Sequence, residues 1–175
     1  YNLTWELINT DLYPNNFEVF ILNFNDGGRD LRLNAEVVTK AIRKIHEVCP
    51  NYKIVIAGLS MGGPIVRYAL SKMESQDRLH HVGLFLSYDS PQWWAHISPD
   101  LQDWIKIQNP NDGAIGKLQE SLQSVAAKQM LYYNTYDPNK IHRLEFYNEL
   151  NNLNVTGYPH KSFNVSASNG NFNAT

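Results

Sequence analysis

The residues with the clearest chemical potential are Gly58-Leu59-Ser60-Met61-Gly62-Gly63. They set a serine at the centre of a G-x-S-x-G pattern, directly behind the apolar, β-branched run Ile54-Val55-Ile56. In such a setting the serine occupies a tight turn from a strand into a helix. The turn lifts the hydroxyl above the sheet, and the glycines let the backbone bend without a Cβ clash. The backbone N–H of Met61 then points to where an oxyanion would form during attack on a carbonyl. Pro64-Ile65-Val66-Arg67-Tyr68-Ala69-Leu70 has the apolar spacing of the helix that must follow. Without that strand and helix, the same letters would describe only a glycine-rich turn with an incidental serine.

The elements that must position this serine are legible as periodicities. Residues 17–24 are apolar on both faces towards their centre, as in a covered parallel strand. Residues 34–48 carry Val37, Val38, Ala41, Ile42, Ile45 and Val48 at helical spacing. Residues 52–57 form the strand before the serine and 61–73 the helix after it. Residues 81–88 form a further strand that closes on Asp89-Ser90-Pro91. Beyond Gln92 the pattern changes. Trp93, Trp94 and Trp104 fall in an irregular, proline-flanked stretch. Residues 114–131 and 141–150 then read as two amphipathic helices, and 161–167 as a last strand before Asn169-Gly170. A short helical pattern also lies at residues 3–8. Strand–helix alternation at this spacing specifies a parallel sheet with right-handed crossovers. The expectation is one α/β domain over residues 1–175, with helices on both sheet faces and a helical cap or lid-like insertion at 92–160.

Composition narrows the function classes. The chain has 175 residues, 43% hydrophobic and 12% aromatic, which is a globular balance. Its net charge of −2 and lack of a basic stripe argue against a nucleic-acid partner. No apolar run approaches the length of a membrane span. The single cysteine, Cys49, has no internal partner for a disulfide and reads as a small, half-buried residue. Asn2, Asn154, Asn164 and Asn173 head N-x-S/T sequons, which weakly favour an extracellular protein. Asp26-Gly27-Gly28-Arg29-Asp30 lacks the alternating oxygens and closing Glu of a calcium loop, so no metal and no cofactor is expected.

Three segments join the serine motif in a resemblance: the Asn34-Ala35-Glu36-Val37-Val38 helix after Phe24-Asn25-Asp26-Gly27, Asp89-Ser90-Pro91, and Ala126-Ala127-Lys128-Gln129-Met130-Leu131. With Gly58 to Gly63 and the Arg67-Tyr68-Ala69-Leu70 helix, they resemble α/β-hydrolase lipases and esterases. The likeness is to a bacterial branch related to the GPI inositol-deacylase (PGAP1-like) group, and it covers most of residues 17–170. It implies ester or lipid substrates and a nucleophilic Ser60, with the Met61 N–H in the oxyanion hole. That branch usually has His and then Gly where Gln92 and Trp93 stand here. The resemblance also implies strands before residue 17 and a histidine-bearing loop after the last strand. The 175 residues therefore read as an incomplete hydrolase domain of a larger polypeptide or assembly.

A serine nucleophile needs a base within hydrogen-bond reach and an acid to orient that base. Asp89, at the carboxyl end of its strand, is the best acid in the chain, and its alternative role is to cap the following turn. No histidine is well placed. His80, His81 and His160 sit at the wrong strand ends, His46 precedes the serine on a helix, and His142 starts a helix. His96 lies on the correct side but in the tryptophan-rich stretch. The base is expected outside the chain. Trp93 and Trp94 are candidates for an acyl-binding wall, or equally for the core of the helical cap. A reading of another class remains beside this one: a hydrolase-like domain without chemistry that serves as a binding or structural module.

Overall fold

The computed structural model describes residues 12, 17–154 and 156–168. The expected helix at 3–8, the Asn169-Gly170 turn and the sequons at Asn2 and Asn173 lie outside them. Helix α1 (Leu31–Val48) begins three residues before the pattern suggested. The carboxylate of Asp30 accepts from the Arg32 N–H and caps it, and Leu31, Ala35, Val38 and Ile42 form its buried stripe. Strand β1 (Ile54–Leu59) leads through the turn at Ser60 into α2 (Gly62–Ser75), and β2 (Val82–Tyr88) follows. Then come α3 (Pro99–Ile107), α4 (Gly113–Gln123), α5 (Val125–Met130) and α6 (Ile141–Leu153). Strand β3 (Phe163–Ala167) ends the described order.

The three strands are parallel and lie in the order β1-β2-β3, with Ala57 beside Leu86 and Leu86 beside Val165. The molecule is thus an α/β structure with a small parallel sheet. Helix α2 carries the main core through Ile65, Val66, Tyr68, Ala69, Leu70 and Met73. It packs between α1 and the strands. Burying each such side chain stabilises the fold by about 1.5–3 kcal/mol.

Residues 17–24 do not form a strand. They have no regular secondary structure, and Phe17, Phe20 and Ile21 are exposed. Strand propensity acts only through a ladder, and no described strand lies beside this segment to accept its N–H groups.

Nor do helices cover both faces of the sheet. Strand order β1-β2-β3 moves in one direction only. Right-handed crossovers that never reverse direction put every connecting helix on the same side. The register gathers Val55, Ala57 and Leu59 with Leu84, Leu86 and Tyr88 and with Phe163, Val165 and Ala167 on the opposite face. Val55 is 56% exposed, Leu59 60% and Phe163 71%. Among the described residues no helix covers this face.

Two further differences concern residues 92–160. Residues 99–107, expected to be irregular, form α3, with Ser98 at its N-cap and Pro99 in its first turn. The single helix expected at 114–131 is two. Ser124 takes extended backbone between them, and its hydroxyl accepts from the Ala127 N–H to cap α5. The apolar period runs through the break, so periodicity alone did not reveal it. Ile105, Leu122 and Leu131 form a small second core, whereas Phe146, Tyr147 and Leu150 of α6 belong to the main one.

Candidate active site

Ser60 has φ 49°, in the left-handed region that a residue with a Cβ enters only at a cost of about 1–3 kcal/mol. Its N–H donates to the Tyr88 carbonyl at 3.0 Å, and its carbonyl accepts from the Gly63 N–H at 3.1 Å. The turn is therefore fastened to β2 on one side and to α2 on the other. The side chain is exposed. Met61 follows with helical backbone, and no side chain caps the start of α2. Its N–H donates to no described protein group, so the positive end of a 14-residue helix opens beside the serine.

Asp89 stands in the matching place at the end of β2, and it too is left-handed, with φ 46°. Its N–H donates to the Ala167 carbonyl at 2.7 Å. Ser60, Asp89 and Ser168 thus follow the three adjacent strands directly, and all three line one cleft. The Asp89 carboxylate does not cap the next turn. The hydroxyl of Ser90 does the local bonding instead, reaching the carbonyls of Tyr88 at 3.0 Å and Gly58 at 3.1 Å.

The cleft has a volume of about 740 Å³. From the serine its wall runs over Trp94, Trp104, Leu118, Met130 and Leu131. Trp94 is in the lining and Trp93 is not. Its ring stacks on Tyr147, with centroids 6.3 Å apart. Trp104, the third tryptophan of that stretch, joins the wall from α3.

No histidine among the described residues lines the cleft. His96 stacks on Tyr132, with centroids 6.3 Å apart. His142 Nδ1 lies 2.9 Å from Asp137, whose carboxylate also accepts the backbone N–H groups of Ile141 and His142 and so caps α6. His46 and His81 stack face to face at 3.6 Å. His80 accepts the Val82 N–H through Nδ1 and therefore donates from Nε2 to Glu74 at 2.9 Å. The side chain of Glu74 is buried, and it also accepts from the N–H groups of His160 and Lys161 at 2.7 Å each. Burial opposes ionisation there, but these donors outweigh it and hold the carboxyl below its usual range.

Gln92 and Arg67 do not line the cleft. The Gln92 amide donates to Ser87 Oγ at 2.6 Å and its Oε1 is buried without a partner. Arg67 was missed as a buried cation. It is fully buried and, among the described residues, enters no ion pair. Its Nε donates to the Gly157 carbonyl at 2.7 Å and Nη1 to the Gln92 carbonyl at 2.6 Å. Its guanidinium lies 3.5 Å from the centre of the Tyr158 ring. Desolvation lowers its pKa from the usual arginine value. The available signal was a cation inside the apolar run Ile65-Val66-Arg67-Tyr68-Ala69.

The remaining sequence candidates are structural. Asn154 donates its amide to the Tyr158 carbonyl at 2.6 Å, and Asn164 donates to that of Pro159 at 2.8 Å, so both sequon amides bond backbone. Asp26 accepts from the Gly28 N–H, and Asp30 pairs with Arg32. Among the described residues no group of three or more metal-ligating side chains occurs, and no helix is long and apolar enough to cross a membrane. In comparisons with known proteins, no family model, no curated protein and no solved structure matches the chain.

Proposed function

We propose that the protein is a serine hydrolase of α/β-hydrolase type that acts on carboxylic esters, with Ser60 as nucleophile. The observation that carries this reading is the left-handed Ser60 at the tip of a parallel strand, beside an uncapped helix start and at the edge of an apolar cleft. Ser60 Oγ attacks the acyl carbon while its proton passes to a base. The Met61 N–H stabilises the oxyanion. The intermediate collapses with loss of the alcohol, and water then releases the acid from the acyl-serine. The acyl chain lies along Trp94, Trp104 and Leu118, an apolar wall suited to a long chain. Asp89 is the acid that orients the base. That base is a histidine from outside the described residues, because none of theirs lines the cleft.

The test is covalent labelling by a small fluorophosphonate, which reacts with activated serines. The expected result is one modified residue, Ser60, with no labelling of Ser60→Ala and no ester turnover by that variant. The missing imidazole favours a second reading, in which the cleft binds acyl groups without cleaving them. A folded protein whose Ser60 stays unlabelled, and which hydrolyses none of a broad ester panel, would establish it.

A further inference from the structure

Two cations stand on the ring platform that Trp94 shares with the cleft wall, and among the described residues neither is paired with an anion. Lys140 precedes α6 in left-handed backbone, with φ 60°, and its Nζ lies 4.4 Å from the centre of the Tyr132 ring. The Arg143 guanidinium, one turn later, is 4.8 Å from the same ring and 5.6 Å from that of Trp94. Trp94 and Tyr132 are themselves 5.6 Å apart. The His96 ring stacks against Tyr132 from α3's side of the chain. Among the described residues neither Lys140 nor Arg143 enters an ion pair. The Asp137 carboxylate is taken by His142 and the α6 cap, and Glu145 is the one other carboxylate near the start of that helix. Arg143 Nε is buried and has no partner. Aromatic faces attract cations without neutralising them, so two like charges over one ring remain a standing positive field. Trp94 belongs both to this platform and to the cleft wall.

We propose that Lys140 and Arg143 form a binding site for an oxyanion, phosphate above all, carried on the non-acyl end of a molecule whose chain occupies the cleft. As a statement about substrate, an ester of an anionic alcohol, this rests on the hydrolase reading. As a statement about binding it does not. Trp94 belongs to both the cleft wall and the platform, so an amphiphile whose chain lies in the cleft can set its head group against Trp94 and Tyr132. There an ammonium and a planar guanidinium supply the point charge and the fork that phosphate oxygens accept.

The experiment is calorimetric binding of octyl phosphate, with octanol, inorganic phosphate and vesicles of mixed anionic and zwitterionic phospholipid as separate arms. The expected result is octyl phosphate binding at least tenfold tighter than octanol and weakening in high salt. The double variant Lys140→Gln/Arg143→Gln should fall to within twofold of octanol. Inorganic phosphate alone should bind weakly, and vesicles should not bind without displacing octyl phosphate. Equal binding of octyl phosphate by the double variant and the parent would overturn the proposal. So would vesicle binding that octyl phosphate does not displace, which would mark a lipid-surface patch instead. If the double variant melts early, Lys140→Gln alone serves, with at least a threefold loss expected and an unchanged affinity overturning the site. Labelling of Ser60 and binding of octyl phosphate are read separately on the parent protein. An unlabelled Ser60 with intact octyl phosphate binding would therefore sink the hydrolase reading and leave the anion site standing.

Discussion

The three glycines around Ser60 are not equivalent, and Gly→Ala substitution should separate them. A Cβ on Gly58 would lie 2.6 Å from the Gly62 carbonyl oxygen and 2.7 Å from Gly62 C and Gly63 Cα. All three are backbone atoms of the helix start, so nothing can rotate aside. A Cβ on Gly63 would lie 2.4 Å from Ser90 Oγ and 2.5 Å from Ser90 Cβ, with Gln92 Nε2 at 2.7 Å. Side chains can give there, but only by disturbing the hydroxyl that reaches Gly58 and Tyr88. A Cβ on Gly62 would meet nothing within 4 Å. Overpacking costs typically about 1–3 kcal/mol and sometimes more, and backbone clashes belong at the upper end. Exchanging glycine for alanine in a helix contributes up to about 1 kcal/mol when there is room. For a chain of this size 1 kcal/mol is about 2–4 °C in Tm. Gly58→Ala should therefore lower Tm by roughly 6 °C or more and Gly63→Ala by a few degrees. Gly62→Ala, although it removes the second glycine of the motif, should leave Tm unchanged or raise it by up to about 4 °C. Thermal unfolding followed by circular dichroism reads all three, and fluorophosphonate labelling reads the turn itself. Only Gly62→Ala should label at the parent's rate. A Gly62→Ala protein as damaged as Gly58→Ala would refute the steric reasoning.

Other perturbations follow from the same contacts. Glu74→Gln leaves one amide oxygen for three donors, so it should cost about 1–3 kcal/mol at neutral pH by chemical denaturation. Because the Glu74 carboxyl is held below its unfolded value of 4.5, its contribution is complete above that pH and is lost as pH falls through the folded value. The acid limb of the parent's stability curve should therefore be steeper than that of Glu74→Gln, and parallel limbs would discount the clamp. Arg67→Met strands the carbonyls of Gln92 and Gly157, at roughly 1–3 kcal/mol each if they stay dry. An unchanged denaturation midpoint would show that water replaces the guanidinium. On the uncovered sheet face, Val55→Lys with Phe163→Lys should leave Tm within about 2 °C, as surface changes within about 0.5 kcal/mol do. The same pair should reduce binding of a hydrophobic dye. Unfolding of this double variant would mean that the face is covered.

The parallel strands and the turn at Ser60 were legible because both depend on local chemistry. A β-branched run followed by glycines and a helical period needs no distant partner to be recognised. The strand expected at 17–24 failed because its pattern describes what the segment can do beside a neighbour, and no described strand supplies one. The break at Ser124 failed for the opposite reason. It is local, but it is written in one hydroxyl that caps α5, and the apolar period masks it. The placement of Trp93 under Arg67 and Trp94 in the cleft wall was beyond sequence reasoning, since adjacent residues in an irregular stretch point apart only once both sides are packed.

Among the described residues five non-glycine residues have positive φ, and two of them, Ser60 and Asp89, occupy equivalent tips of neighbouring strands. Strain of this kind persists where the surroundings over-determine it, and here the means are visible. Each strained residue donates its N–H across the sheet, Ser60 to Tyr88 and Asp89 to Ala167, so the sheet itself holds both turns. The result is a hydroxyl and a carboxylate carried on adjacent strand ends that line one cleft, beside the Met61 N–H, which donates to no described group. A module that only gripped acyl chains would need the cleft wall but gain nothing from a strained serine at its edge. These are the parts that the proposed chemistry at Ser60 would use, and that proposal requires one more. The requirement is an imidazole that can reach both Ser60 and Asp89, and no described histidine lines the cleft they share.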